Sequence, residues 1–393
     1  MQVSSVGRVA RRRLPAPVVG AVATARRQLR WLRPVGPAPG FPPVPTAPVR
    51  LLVGPTNSAG QGWAWARSAE RAGAGATCFA VRRNSFGFAD DYGAPIPVYA
   101  HPRWQRAQER YVLGGYTHML VESMRPLFGG RHGRDARGDL DVIVRAGLAA
   151  GLAFHGSDVR LPSAHAAAER WSPFHVRDEL TERLEAQARL AADVVADFDG
   201  PVFVSTPDLL TYLPGATWLP VVVDVDRWAT AAPVLQRERP LVVHAPSNPR
   251  FKGTEAVEAA MALLVADGLI EYRRLEGVPN DRMPAALADA DVVVDQLVMG
   301  LYGVGACEAM AAGRVVVSYV GDDVRARVRS ATGLELPVAE AGPQTLADVV
   351  AGIVAGRDGA RELAAGGPRF VRSVHDGSRS AAALAGWLFP PPD

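Results

Sequence analysis

The amino-acid sequence predicts an α/β protein made of two parallel-sheet domains that face each other across a cleft. Three observations carry this. Short apolar runs closed by turn residues alternate with helical patterns, the alternation starts afresh near residue 239, and 393 residues suffice for two such cores. A strand, a helix and a further parallel strand make a right-handed crossover, so each alternating set builds one helix-covered sheet.

The elements follow in order. Residues 1–48 form a basic extension ending in VGPAPGFPPVPTAP, a Pro/Gly-rich stretch that predicts a linker. VRLLVGP (49–55) is a short apolar run closed by Gly-Pro, the mark of a buried strand. GWAWARSAERAG reads as the helix after it and ATCFAVR as the next strand. THMLVES (117–123), GLAFHGS (151–157) and PVFVST (201–206) repeat the strand pattern, with helical patterns at 139–149 and 178–196. The second set opens at RPLVVHAPS (239–247). Its helix TEAVEAAMALLVADG places Val257, Met261 and Leu264 on roughly one face. IEYRRLEGV, ADVVVDQLV and GRVVVSYVG supply further strands, with GVGACEAMAAG as a helix between the last two. LPVVVDVDRW (219–228) marks the join, so the first domain spans 49–222 and the second 223–370. Ligands of open α/β sheets bind in the crevice outside the carboxyl ends of the strands.

Composition removes several classes of function. The chain is 48% apolar and 21% charged, with a net charge of +3 and no basic stripe interleaved with aromatics, which argues against nucleic acid as a partner. Cys78 and Cys307 match no metal or disulfide spacing, and a reducing cytoplasm fits them. The longest apolar stretches are broken by Arg and Gly and fall short of a membrane span. RVARRRLPAPVVGAVATARRQLRWLRP (8–34) imitates a signal peptide, but its apolar middle holds two prolines and more arginines follow. Two readings of it stand: a cationic, partly helical segment leaning on anionic lipid, or an unstructured tail or misassigned start codon.

Of the 43 Lys and Arg residues, Lys252 alone is a lysine. It falls in APSNPRFKGTE, where a turn, Arg250, Lys252, a glycine and a helix start lie within eleven residues. Helix N-termini carry partial positive charge and free N–H groups, and a compact ammonium can follow a phosphate where a guanidinium imposes a planar fork. The loop therefore reads as a diphosphate site or as a solvated loop. In GLYGVGACEAMAAGRVVVSYVG, Gly303 and Gly305 bracket a helix start, where missing side chains let backbone N–H groups approach a phosphate. Glu308 lies one turn in, placed either to accept two ribose hydroxyls or to interact with the helix dipole.

The loop GPTNSAGQGWAW supplies Gly60 and Gly62 but has Trp65 at the third glycine position of a dinucleotide fingerprint, and the next strand ends in Arg82-Arg83 rather than an acid. AFHGSDVR ends another strand with His155, Asp158 and Arg160. His155 could donate to a sugar or phosphate and Asp158 could orient an acceptor hydroxyl; alternatively, Asp158 and Arg160 cap a turn and pair with each other.

PRFKGTE followed by YGVGACEAMAAGRVVVSYV resembles the donor half of GT-B glycosyltransferases, especially the retaining family 4, or group 1, enzymes. The specific motifs cover about 240–330 and a looser likeness 49–390. The resemblance implies two Rossmann-like domains, with the late FVRSVHDGSRSAAALAGWL giving a terminal helix (371–390) that crosses back onto the first domain and makes His375 structural. It implies a nucleotide diphosphate sugar as co-substrate, no cofactor and an acceptor hydroxyl. Lys252 would then grip the diphosphate, Glu308 the ribose, Gly60 the donor phosphate or acceptor, and His155 the donor sugar.

Two positions depart from the family pattern. The phosphate arginine expected five residues before Lys252 is Ser247, for which Arg250 is the candidate substitute. The glutamate expected eight residues before Glu308 is Gly300, so Asp295 or Gln296 could take over the sugar contact, or Tyr302 could crowd the sugar differently. No D-x-D cluster stands at a strand end, so no metal is expected. The sequence leaves three activities open: glycosyl transfer, sugar-nucleotide epimerisation, and binding without catalysis. The expected location is the cytoplasm, with the basic leader suggesting the inner membrane face and a lipid-linked or other saccharide as acceptor.

Overall fold

A computed structural model describes residues 40–82 and 86–391. Seven strands form the first sheet: β1 (Arg50–Gly54), β2 (Gly75–Arg82), β3 (Tyr92–Pro95), β4 (His118–Glu122), β5 (Ala149–Phe154), β6 (Val202–Val204) and β7 (Thr217–Trp218). They are all parallel, in the order β3-β2-β1-β4-β5-β6-β7. Helices cover both faces, which is why β1 and β4 read as continuous apolar runs rather than alternating ones. Leu51, Leu52 and Val53 of β1 and Met119, Leu120 and Val121 of β4 are all fully buried.

The second sheet has five parallel strands: β8 (Leu241–His244), β9 (Glu271–Arg274), β10 (Val292–Val294), β11 (Val315–Ser318) and β12 (Ala339–Glu340), in the order β12-β11-β10-β8-β9. Both orders are doubly wound. Strand order reverses between β1 and β4 in one sheet and between β8 and β10 in the other, and crevices open at such points.

Two stretches of chain lie where their position in the sequence does not put them. The terminal helix Ser378–Leu388 lies beside helix Gln61–Arg71, and Leu384 and Leu388 share a core with Leu51, Val53 and Trp65. Between β5 and β6, Phe174 and Leu184 are buried in a core with Val242, Val257 and Val294 of the second half.

Residues 40–48, expected as a linker, pack on the first sheet's helices. Phe41 stacks on Tyr111 with ring centroids 4.7 Å apart, and the side chains of Val44 and Pro45 fill the space left by Gly115 and Gly75. The prolines there supply apolar surface as well as stiffness. The basic leader up to residue 39 lies outside the described residues. Among those described, no helix is long and apolar enough to cross a membrane.

Candidate active site

The loops at the carboxyl ends of β1, β4, β5, β8 and β10 converge on three adjoining hollows. The central one, about 230 Å³, lies between the halves; Lys252, Met299, Gly303 and Val304 face Ala59, Gln61, His155 and Ser157 across it. A second, about 490 Å³, shares Ala59, Gln61 and Val304 with the first and holds Gly60, Glu308, Arg227 and Asn280. A third, about 660 Å³, belongs to the first half and meets the central hollow at Ser58, Ala59, His155, Gly156 and Ser157.

Lys252 ends a short helix, Pro249–Lys252, capped at Asn248, and Gly253 at φ +70° turns the chain into helix Thr254–Ala266. That left-handed conformation suits glycine, and an added Cβ would also come within 3.0 Å of Val298. The Lys252 ammonium contacts Asp295 Oδ1 at 2.5 Å, just past β10. The other Asp295 oxygen is buried and, among the described residues, has no hydrogen-bond partner. Behind the loop His244 is buried neutral, its Nδ1 donating to Val294 O and its Nε2 accepting from Thr254 Oγ1; burial lowers its pKa.

Gly303 is the N-cap of helix Val304–Ala311 and borders the central hollow. A Cβ on Gly305 would stand 3.4 Å from Asp295 Oδ1, so the start of this helix packs close beside that carboxylate. Glu308 borders the second hollow and, among the described residues, its carboxyl has no hydrogen-bond partner. Burial pushes its pKa up to about 8 against the pull of Arg227 and Lys252.

Four expected residues do other work. Arg250 turns away from the hollows: its guanidinium donates to Pro173 O, Val176 O, Thr181 Oγ1 and Asp178 Oδ2, binding the β5–β6 segment. Tyr302 is 1% exposed and packed in the second core, its hydroxyl against Nε2 of the buried His375, so it crowds nothing in the cleft. Gln296 is consumed by its own loop and the end of β11. Its Nε2 donates to Leu301 O and Ser318 Oγ, and its Oε1 accepts from the N–H groups of Val298 and Met299. Asp158 accepts from the N–H groups of His155 and Gly156, and Arg160 pairs with Asp208 instead of with it. Asp158 is thus a turn cap that borders the third hollow.

His155 sits on the wall between the central and third hollows. Its ring stacks on Trp65 at 4.9 Å and an interplanar angle of 13°, and Nε2 lies 2.8 Å from Glu122 Oε1. Burial disfavours the charged ring, but the hydrogen bond and charge of Glu122, with Asp158 nearby, leave its pKa raised. Glu122 closes β4, is fully buried, and accepts the N–H groups of Thr56 and Asn57 with its second oxygen. Sequence reasoning passed over it. The available signal was an acid ending the apolar run THMLVE, at the same strand-end level as His155.

At Gly60, φ is +77° and the residue caps helix Gln61–Arg71 beside the second hollow. Among the described residues, no group of three or more His, Cys, Asp or Glu side chains is gathered as a metal site.

No protein-family model and no curated protein matches the sequence. The likeness lies in the fold. Sucrose-phosphate synthase from Thermosynechococcus elongatus aligns with a TM-score of 0.57 and 15% identity, over 86% of this chain and 97% of that one. HepE from Anabaena, in complex with UDP-glucose, aligns with a TM-score of 0.55 and 12% identity, over 85% and 98%. A glycosyltransferase from Rickettsia africae gives 0.54 and 10%, over 88% and 100%. The chain shares with these structures an α/β fold of two parallel-sheet domains.

Proposed function

We propose that this protein is a glycosyltransferase of the retaining family 4 kind, moving a hexosyl or other glycosyl group from a nucleotide diphosphate sugar to an acceptor hydroxyl, without a metal. The observation that carries the proposal is the continuity of the hollows: Lys252, the start of helix Val304–Ala311 and His155 line one space, and Glu308 borders the space joined to it. The diphosphate would lie against the Lys252 ammonium and the N–H groups at Gly303 and Val304. Those groups stabilise the negative charge that grows on the leaving phosphate. Glu308 would receive the ribose hydroxyls. Asp295 would hold Lys252 in place until the phosphate arrives.

The acceptor would occupy the hollow of the first half and present its hydroxyl beside His155. Retention follows if attack comes from the face the diphosphate leaves, with a phosphate oxygen taking the proton. His155, oriented by Glu122, would donate to the donor sugar or its phosphate. Closure of the halves would exclude water and favour transfer over hydrolysis. HepE has been crystallised with UDP-glucose, with UDP, and with UDP and glucose, which makes UDP the first nucleotide to test. A saccharide acceptor, lipid-linked at the inner membrane face, agrees with the basic leader.

A thermal-shift screen over nucleotide diphosphates and their sugars, followed by radiolabelled transfer with candidate acceptors, tests the proposal. A stabilising nucleotide and labelled acceptor support it. Epimerised donor, or binding without turnover, replaces it with one of its two rivals.

A further inference from the structure

The β5–β6 segment is fastened to the half of the molecule to which it does not belong in sequence. Phe174 is buried among second-half side chains, with its ring 5.6 Å from that of Phe251, and Arg250 binds its far end at Asp178 and Thr181. Helix Pro162–Ala168 brings His165, and one turn later Glu169, against the loop that follows β10. His165 Nε2 lies 3.4 Å from Met299 O. Glu169 Oε2 accepts the Tyr319 hydroxyl at 2.6 Å, and Oε1 lies 2.9 Å from where a Cβ on Gly300 would stand. Gly300 has φ +65° and its carbonyl accepts from Gly321 N. Position 300 favours glycine through its backbone conformation, and the Glu169 carboxylate, the end of a flexible side chain, lies in the space beside it.

We propose that residues 162–181 form part of the second-half wall of the cleft, and that Glu169 is a positioning residue for loop 296–303. The inner side of that loop presents Met299, Leu301 and Gly303 to the hollow containing Lys252. Gln296 braces the loop from within, and Glu169 braces it from outside at Gly300 and Tyr319. Without Glu169 the Tyr319 hydroxyl loses its acceptor, the space beside Gly300 empties, and the loop gains room to leave the hollow. The positioning role stands on geometry alone; only its effect on nucleotide binding rests on the proposed function.

Hydrogen exchange by mass spectrometry on the full chain, with Glu169→Ala and Glu169→Gln, decides the matter without a ligand. In Glu169→Ala, the amides of 297–303 should exchange about tenfold faster or more, while those of the first sheet keep wild-type rates. Glu169→Gln should stay within about threefold of wild type, because its amide oxygen still accepts from Tyr319. Unchanged exchange at 297–303 in Glu169→Ala, acceleration throughout the chain, or a glutamine variant as fast as the alanine one overturns the proposal. Titration with UDP should then show affinity about tenfold lower in Glu169→Ala and near wild type in Glu169→Gln. Wild-type protein that binds no nucleotide diphosphate would refute the functional reading, while the exchange rates still decide this one.

Discussion

Glu122, the last residue of β4, and His155, the first residue after the neighbouring parallel strand β5, share a 2.8 Å hydrogen bond, although they are thirty-three residues apart. The second oxygen of Glu122 holds the loop after β1 through Thr56 and Asn57. One buried carboxylate thus sets both the orientation of the imidazole and the course of the loop after β1.

Replacing Glu122 with Gln removes the charge and leaves a group of the same size. The raised pKa of His155 means that the pair stabilises the fold fully below the unfolded value of about 6.5, a contribution lost as pH rises through the folded value. Chemical denaturation from pH 5 to 9 should show that dependence flattened in Glu122→Gln. Transfer kcat should fall by about a hundredfold, on the scale of a lost acid–base or orienting group, with donor KM changed far less.

Lys252→Ala should lower affinity for UDP about tenfold or more, as measured by calorimetry. It also strands Asp295, one of whose oxygens already has no hydrogen-bond partner among the described residues, and should cost up to about 3 kcal/mol of stability. Adding Asp295→Asn should restore much of that stability and none of the affinity. Recovered affinity in the double variant would show that the lysine serves the fold alone.

Glu308 predicts a pH dependence of the same sign as that of His155, in a window that opens at lower pH. A carboxyl whose pKa is raised to about 8 binds its proton more tightly folded than unfolded, so wild-type stability should fall as pH climbs from about 4.5 to 8. Glu308→Gln should have a higher Tm than wild type at pH 8, a difference that vanishes near pH 4.5, and should bind UDP more weakly. A variant that melts with wild-type pH dependence would contradict the raised pKa.

Leu384 is fully buried in the first core, where the terminal helix returns to it. Leu384→Ala should cost about 2–5 kcal/mol. Urea denaturation should report this loss.

The sequence displayed what is locally encoded. Apolar runs closed by glycine or a polar residue marked eight of the strands, a ninth is the polar EYRR of β9, and the loop chemistry around Lys252, Gly303 and Glu308 lies within stretches of a few residues. Strands β7 and β12 are two residues long, too short to show any pattern, and β3, YGAP, has no apolar run. Side-chain partners were hidden for another reason. Arg250 meets Asp178 seventy-two residues away and Glu169 meets Tyr319 one hundred and fifty away, so only the assembled fold reveals that one cation is already bound and that the place beside Gly300 is occupied.

Apart from the excursion of the β5–β6 segment, the chain passes between the halves near 219–223 and again near 375, and these two passages are tied together: Val223 N donates to His375 O at 2.8 Å, and His375 Nδ1 donates to Val221 O at 2.8 Å. Two laced cables resist shear but allow torsion about their common line. Relative motion of the lobes should therefore be a swing about this seam, with the greatest excursion at the rim farthest from it. A spin-label pair across that rim should report a broad distance distribution, and one beside the seam a narrow one.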